Sequence, residues 1–157
     1  MWNIEMLSSR KKRGFPEFRG NRQFDPRTDS QLSKIAKHIE DDLEIDAMIL
    51  TEVDDDGNGS PRRPKSEQLS TIVGKMEPEW QYLLGRTGGG QRIGILWNSK
   101  RIEIAAIANL DAPEFEVGDF EEEESDVFHR DPLLTHIKFR KPSGETHDTD
   151  ILFVGLH

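Results

Sequence analysis

The sequence predicts an α/β layered domain, and three observations carry that prediction. Apolar runs of strand length recur, the clearest at Asp46–Val53 and Ile151–Leu156. Two stretches, after Thr28 and after Pro64, place apolar residues at helical spacing. The first half of the chain reads strand, helix, strand, an order that suggests a parallel pair joined by a crossover. Many strands with two helices call for sheets covered by helices, and 157 residues are enough for one domain with a real core.

Residues 2–7 read as the first strand, and the start looks like a strand whose opening residues are missing. Arg10-Lys11-Lys12-Arg13 follows, then Arg19, Arg22 and Arg27, with Gly14, Pro16, Gly20 and Pro26 among them. This basic loop on an acidic protein is either a solvated surface loop or a patch that steers phosphate. Thr28 reads as a helix N-cap with Gln31 at the capping-box position. Leu32, Ile35, Ala36, Ile39 and Leu43 make one apolar stripe, and that helix feeds the 46–53 strand. Ligands of such sheets gather beyond the carboxyl ends of the strands, where Glu52 stands.

Asp54-Asp55-Asp56-Gly57-Asn58-Gly59 opens like a calcium loop, but Lys65 occupies the position of its bidentate glutamate. A flexible turn is the simpler reading. Leu69, Ile72, Val73 and Met76 mark a second helix, and Gln81–Gly85 a short strand. Gly88-Gly89-Gly90 lacks the frame of a phosphate-binding P-loop. Arg92–Trp97 and Arg101–Ala108 look like a β-hairpin around Asn98-Ser99-Lys100. Residues 111–126 carry many acids and no base, a solvated excursion. Leu133, Ile137 and Phe139 share one face of a strand, with His136, Lys138 and Arg140 on the other. Ile151–Leu156 reads as a central strand buried on both faces.

The net charge of −9 argues against nonspecific binding of nucleic acid by bulk charge, though a local basic patch remains open. No stretch approaches the apolar length of a membrane span. Cysteine is absent, which removes disulfides, a thiolate nucleophile and cysteine zinc sites, and fits the cytoplasm as the default compartment without requiring it. Glu52, at a strand end, is a residue type that holds Mg²⁺. An asparagine such as Asn3 can orient that carboxylate or a phosphate, and a histidine such as His157 can work as general acid or base. The bland reading of all three is polar caps on strand ends.

Four stretches resemble, in order and with suitable gaps, the endonuclease/exonuclease/phosphatase family of deoxyribonuclease I-like enzymes. They are Trp2-Asn3-Ile4-Glu5-Met6-Leu7, Ile35-Ala36 through Ile45-Asp46-Ala47-Met48-Ile49-Leu50-Thr51-Glu52-Val53, Gln91-Arg92-Ile93-Gly94-Ile95-Leu96-Trp97, and Phe128-His129-Arg130-Asp131-Pro132 with Phe153-Val154-Gly155-Leu156-His157. The resemblance implies a layered β-sandwich flanked by helices, incomplete here because the chain would be the N-terminal part of one such domain. It implies a Mg²⁺-dependent phosphodiesterase, Mn²⁺ serving as an alternative ion, with nucleic acid foremost among phosphodiester substrates. Glu52 would ligate the metal, Asn3 would bind metal and phosphate, and Arg130 and Arg92 would contact substrate. Arg130 could instead be a structural ion pair, and Asn3 could merely pin neighbouring loops. His157 would be one of two catalytic histidines.

Two departures from the family's pattern matter. Gln91 stands where deoxyribonuclease I-like enzymes place a glutamate that orients the catalytic histidine, so the imidazole would lose a charged partner. The family's later Gly-Asp-Phe-Asn and Ser-Asp-His motifs are also missing; Gly118-Asp119-Phe120 is followed by Glu121 and reads as coincidence. This chain alone is therefore expected to turn over little substrate, since such groups work as a unit. It is also expected to leave apolar faces and strand edges open to self-association. A binding or interaction fragment without catalysis, or a degenerate family member, is the alternative.

Overall fold

A computed structural model describes residues 2–7, 12–13, 23–56, 64–86, 91–109 and 132–156, with backbone alone for 2–6, 12–13 and 23–24. The chain runs β1 (Trp2–Leu7), β2 (Lys12–Arg13), β3 (Gln23–Phe24), α1 (Asp29–Lys37), β4 (Ala47–Val53), α2 (Glu67–Val73), β5 (Trp80–Leu84), β6 (Arg92–Asn98), β7 (Ile102–Asn109), β8 (Leu133–Arg140) and β9 (Thr146–Gly155). A four-stranded sheet has the order β1-β4-β6-β5 and a three-stranded sheet the order β7-β8-β9. β2 and β3 form a short antiparallel ribbon. β1 and β4 are parallel, as the strand-helix-strand order implies.

α1 begins where its capping signal stands. The Thr28 hydroxyl accepts the Gln31 N–H, and the Gln31 side chain accepts the Thr28 N–H at 2.8 Å. The helix continues as a π-helical turn over His38–Asp42. Leu32, Ala36 and Ile39 are buried from it, and Ile35 and Leu43 pack beside them. α2 is capped by Ser66, whose hydroxyl accepts the Leu69 N–H, and it buries Leu69 and Ile72.

Two cores share the four-stranded sheet. On one face Leu50, Val53, Leu84 and Leu96 pack with Leu32, Ala36, Ile39, Leu69 and Ile72 of the helical layer. On the other face Ile49, Ile93, Ile95 and Trp97 pack with Ile102, Leu133 and Ile137 of the second sheet. The molecule is thus helices, sheet, sheet: the α/β sandwich with flanking helices that the sequence implies. β6 is buried from Arg92 to Trp97, with Ile93, Ile95 and Trp97 facing the second sheet and Leu96 facing the helices.

Two expectations fail. Residues 92–108 are not a hairpin. β6 already has β4 on one edge and β5 on the other, so no edge is left for β7, which pairs with β8. The turn at Asn98-Ser99-Lys100 instead carries the chain from one sheet to the other. It is pinned by the Ser99 N–H on the Glu79 carbonyl at 2.8 Å, and Ile102 enters the core between the sheets. Ile151–Leu156 is not buried on both faces either. β9 pairs with β8 at the end of its sheet's order; Phe153 packs inward, while Leu152 is 58% and Val154 49% exposed. A run that is apolar at every position signals two buried faces only where a layer covers each, and here the described residues cover one.

Gly94 marks the closest approach inside the first sheet. A Cβ there would lie 2.7 Å from Leu84 Cδ2 and 2.9 Å from the Leu83 carbonyl oxygen. Gly94→Ala should cost about 1–3 kcal/mol in urea unfolding through forced displacement of β5. A loss below about 0.5 kcal/mol would show that the β5–β6 contact yields freely.

Candidate functional site

The carboxyl end of β4 is irregular, and Glu52 is the reason. Pairing with β6 runs Ala47↔Trp97 through Leu50↔Gly94 and resumes at Val53↔Arg92, so three steps on β4 match two on β6. One extra residue in β4 is a β-bulge. Pairing with β1 also shifts, between Asn3↔Thr51 and Leu7↔Val53. Glu52 lies inside both irregularities with φ +61°. The bulge flips the alternation: Leu50 faces the helices, so Val53 in a regular strand would face the second sheet, yet it packs in the helix-side core.

Positive φ costs a side-chain-bearing residue about 1–2 kcal/mol. Two other described residues without glycine's freedom adopt it, Glu44 at +49° and Asp56 at +52°. Glu44 follows the C-cap of the helical segment and Asp56 sits in a turn, both ordinary places for it. Glu52 alone of the three is within a strand, where the ladder must hold it.

The turn after the bulge is pinned on three sides. The Asp54 N–H donates to the Leu7 carbonyl at 2.9 Å. The Asp56 carboxylate accepts the Glu67 N–H at 2.8 Å, at the start of α2. Asp55 Oδ2 accepts from Arg92 Nε at 2.9 Å and from Arg92 Nη2 at 2.6 Å. The third guanidinium nitrogen, Nη1, donates to the carbonyls of Gly85, at 3.2 Å, and of Arg86. Arg86 in turn donates its N–H to the Asn109 side chain at 2.8 Å, which ties in the end of β7.

These bonds correct one expectation. Arg92 is buried and directs all three guanidinium nitrogens into the protein, so it braces the end of the sheet; a substrate contact is not what this geometry provides. Asp54 and Asp56 are buried as well. The Asp56 carboxylate caps a helix, and residues 57–60 of the calcium-like stretch lie outside the described residues.

Of the remaining expected site residues, Asn3 sits in β1 with its Cα in register with Thr51, one residue from Glu52; its side chain is outside the description. Gln91 directly precedes β6, whose first residue Arg92 pairs with Val53. Asn3, Glu52 and Gln91 therefore occupy one end of one sheet. Gly155 packs where a Cβ would meet Ile93 Cγ2 at 2.8 Å and Ile49 Cγ2 at 3.0 Å, so β9 closes onto the strands that carry Glu52 and Gln91. His157, Arg130 and the Gly118-Asp119-Phe120 stretch lie outside the described residues, as does most of the basic loop. Arg27 of that loop is described; burial lowers its pKa, and its carbonyl accepts from the Gln68 amide.

Among the described residues no three His, Asp or Glu side chains gather closely enough to hold a metal together. No described helix is long and apolar enough to cross a membrane. A cavity of about 510 Å³ lies at the opposite, amino end of β4, between His38, Leu43, Ile45, Met48, Phe153 and Val154, most of them apolar side chains.

Sequence reasoning missed the bulge and the Asp55–Arg92 brace. Three consecutive aspartates after a strand were a signal that at least one carboxylate had a structural partner, and Arg92 was the nearest candidate in the adjoining strand. The bulge leaves no composition mark, because the strained residue is a glutamate rather than a glycine. Glu52→Gly removes the strain but loosens the unfolded chain, so stability should stay within about 1 kcal/mol of wild type. Glu52→Val should lose about 1–3 kcal/mol, because a β-branched residue is poorly tolerated at positive φ. Thermal unfolding of the two variants reads the difference, and equal melting temperatures would contradict it.

No family model and no curated protein matches the chain. Among solved structures, it is similar to an endonuclease/exonuclease/phosphatase from Bacteroides vulgatus, at 16% identity and a TM-score of 0.47, over 92% of this chain and 47% of that one. It is also similar to an endonuclease/exonuclease/phosphatase family protein from Bacteroides thetaiotaomicron, at 16% identity and a TM-score of 0.49, over 94% of this chain and 45% of that one. The chain spans less than half the length of either structure.

Proposed function

We propose that this chain is the N-terminal part of a divalent-metal phosphodiesterase of the endonuclease/exonuclease/phosphatase family, with nucleic acid as the foremost substrate class. The observation that carries the reading is Glu52: a carboxylate held at φ +61° in a bulge at the carboxyl end of a strand, with the Asn3 position alongside. Strain of this kind persists where surrounding structure enforces it, and it concentrates at functional sites.

The donor set suits Mg²⁺ or Mn²⁺. Mg²⁺ takes one or two carboxylates, keeps several waters and completes its shell with substrate phosphate, so one glutamate beside an amide oxygen fits it. Glu52 and Asn3 would hold the ion, which supplies positive charge against the phosphate. The other roles belong to the chain's own groups. Arg130 would bind a non-bridging phosphate oxygen, and His157 would move the proton as water attacks phosphorus and the ester oxygen leaves. Gln91 would accept a hydrogen bond from the imidazole and keep the ring oriented without adding charge. Cutting a phosphodiester this way consumes one water and yields a phosphomonoester and an alcohol.

A second reading, a binding module without turnover, draws on Gln91, an uncharged side chain where a charged partner for the imidazole is expected. Titrating Mn²⁺ into wild type and Glu52→Gln by calorimetry, alongside plasmid nicking in Mg²⁺, separates the two. The phosphodiesterase reading expects binding that Glu52→Gln weakens at least tenfold, with slow nicking abolished by the same change. Identical metal binding in both proteins overturns it. No heat of metal binding in either protein favours the binding module, since nicking by this chain alone is slight on both readings.

A further inference from the structure

We infer that Arg92 and Asp55 are positioning residues, a clamp that holds the Glu52 bulge in its metal-binding conformation; this rests on the reading of Glu52 as a metal ligand. The geometry supplies the argument. Arg92 pairs in register with Val53, the residue directly after Glu52, and its guanidinium reaches Asp55, three residues after Glu52, through Nε and Nη2. The same guanidinium holds the carbonyls of Gly85 and Arg86 at the end of β5. One side chain therefore fixes both the backbone opposite the bulge and the turn that follows it. Asp54, between the two contacts, is tied back to β1 through Leu7.

The pair is the right chemistry for the task. A planar guanidinium offers donors in a fixed fork, so it sets an angle as well as a distance. Asp55 and Arg92 are mostly buried, with side-chain exposures of 21% and 10%, which shields the contact from water and salt. A lysine could supply the charge and not the fork. Groups that orient a metal ligand without touching the metal typically change its affinity 10–100-fold when removed.

The test compares wild type, Arg92→Lys, Arg92→Met, Asp55→Asn, the Arg92→Met/Asp55→Asn double variant and Glu52→Gln. Amide hydrogen exchange is read at Val53 and Asp54 without metal, and Mn²⁺ affinity is read by electron paramagnetic resonance of the free ion. The clamp predicts that exchange at Val53 and Asp54 speeds at least tenfold in each single variant, while Leu83 and Ile95 in mid-sheet stay protected. It predicts that Mn²⁺ affinity falls about tenfold in Asp55→Asn and Arg92→Lys, with the double variant little worse than either single one. Unchanged exchange at Val53 and Asp54 overturns the clamp whatever the metal does. Faster exchange with wild-type Mn²⁺ affinity overturns the positioning role. Mn²⁺ binding indifferent to Glu52→Gln overturns the reading of Glu52 itself, and the exchange rates then still report whether the clamp exists. Should Arg92→Met fail to fold by circular dichroism, Asp55→Asn and Arg92→Lys decide the matter.

Discussion

One inserted residue in β4 is the constraint on which the rest of the site depends. Up to Leu50 the strand pairs regularly with β6, and its side chains alternate between the two cores. The bulge at Thr51 and Glu52 breaks that alternation, returns Val53 to the helix-side core, and leaves Glu52 partly buried at the carboxyl end of the strand. A regular strand would have no residue to spare there. An extra residue can be aimed independently of the pleat, which is how bulges commonly serve the neighbourhood of active sites.

The sandwich makes such an irregularity tolerable. β6 lies against the bulge with both faces buried and strands on both edges, so the bulge has a well-packed partner strand. Burying an isoleucine side chain stabilises by about 1.5–3 kcal/mol, and β6 contributes Ile93 and Ile95 to the inter-sheet core alone. Those contacts exceed the cost of one strained residue. The polar groups around the turn then set its shape: one carboxylate caps α2, one pairs with Arg92, and one backbone N–H returns to β1. Three neighbouring elements thus meet at the residues that follow Glu52.

Much of this was legible in the residues, for identifiable reasons. α1 was readable because Thr28 and Gln31 form a capping box with a stripe behind it, and each of those signals acts locally. The parallel β1–β4 pair followed from an intervening helix. The failures were non-local. Whether Arg92–Trp97 and Arg101–Ala108 pair depends on which strands already flank β6, and nothing in the turn records that. Whether the outer face of β9 is buried depends on what lies over it, which the apolar run itself does not encode. At the site, Glu52 could be found as a carboxylate at a strand end, and the strand-helix-strand order put Asn3 near it, whereas the place of Gln91 depends on β6 pairing with β4, which the sequence does not record. Arg92 was misjudged because a basic residue beside a candidate site reads as a ligand group until its own partners are known; those include Asp55 and two backbone carbonyls.

The measurement closest to the central claim is paramagnetic broadening of the backbone amide spectrum by trace Mn²⁺. Convergence on one ion at the carboxyl end of β4 predicts selective loss of the Asn3, Glu52, Val53 and Gln91 signals, with Leu43 and Ile45 at the other end of that strand unaffected. Broadening centred on Asp148 and Asp150 of β9, or spread evenly over the acidic surface, would contradict it.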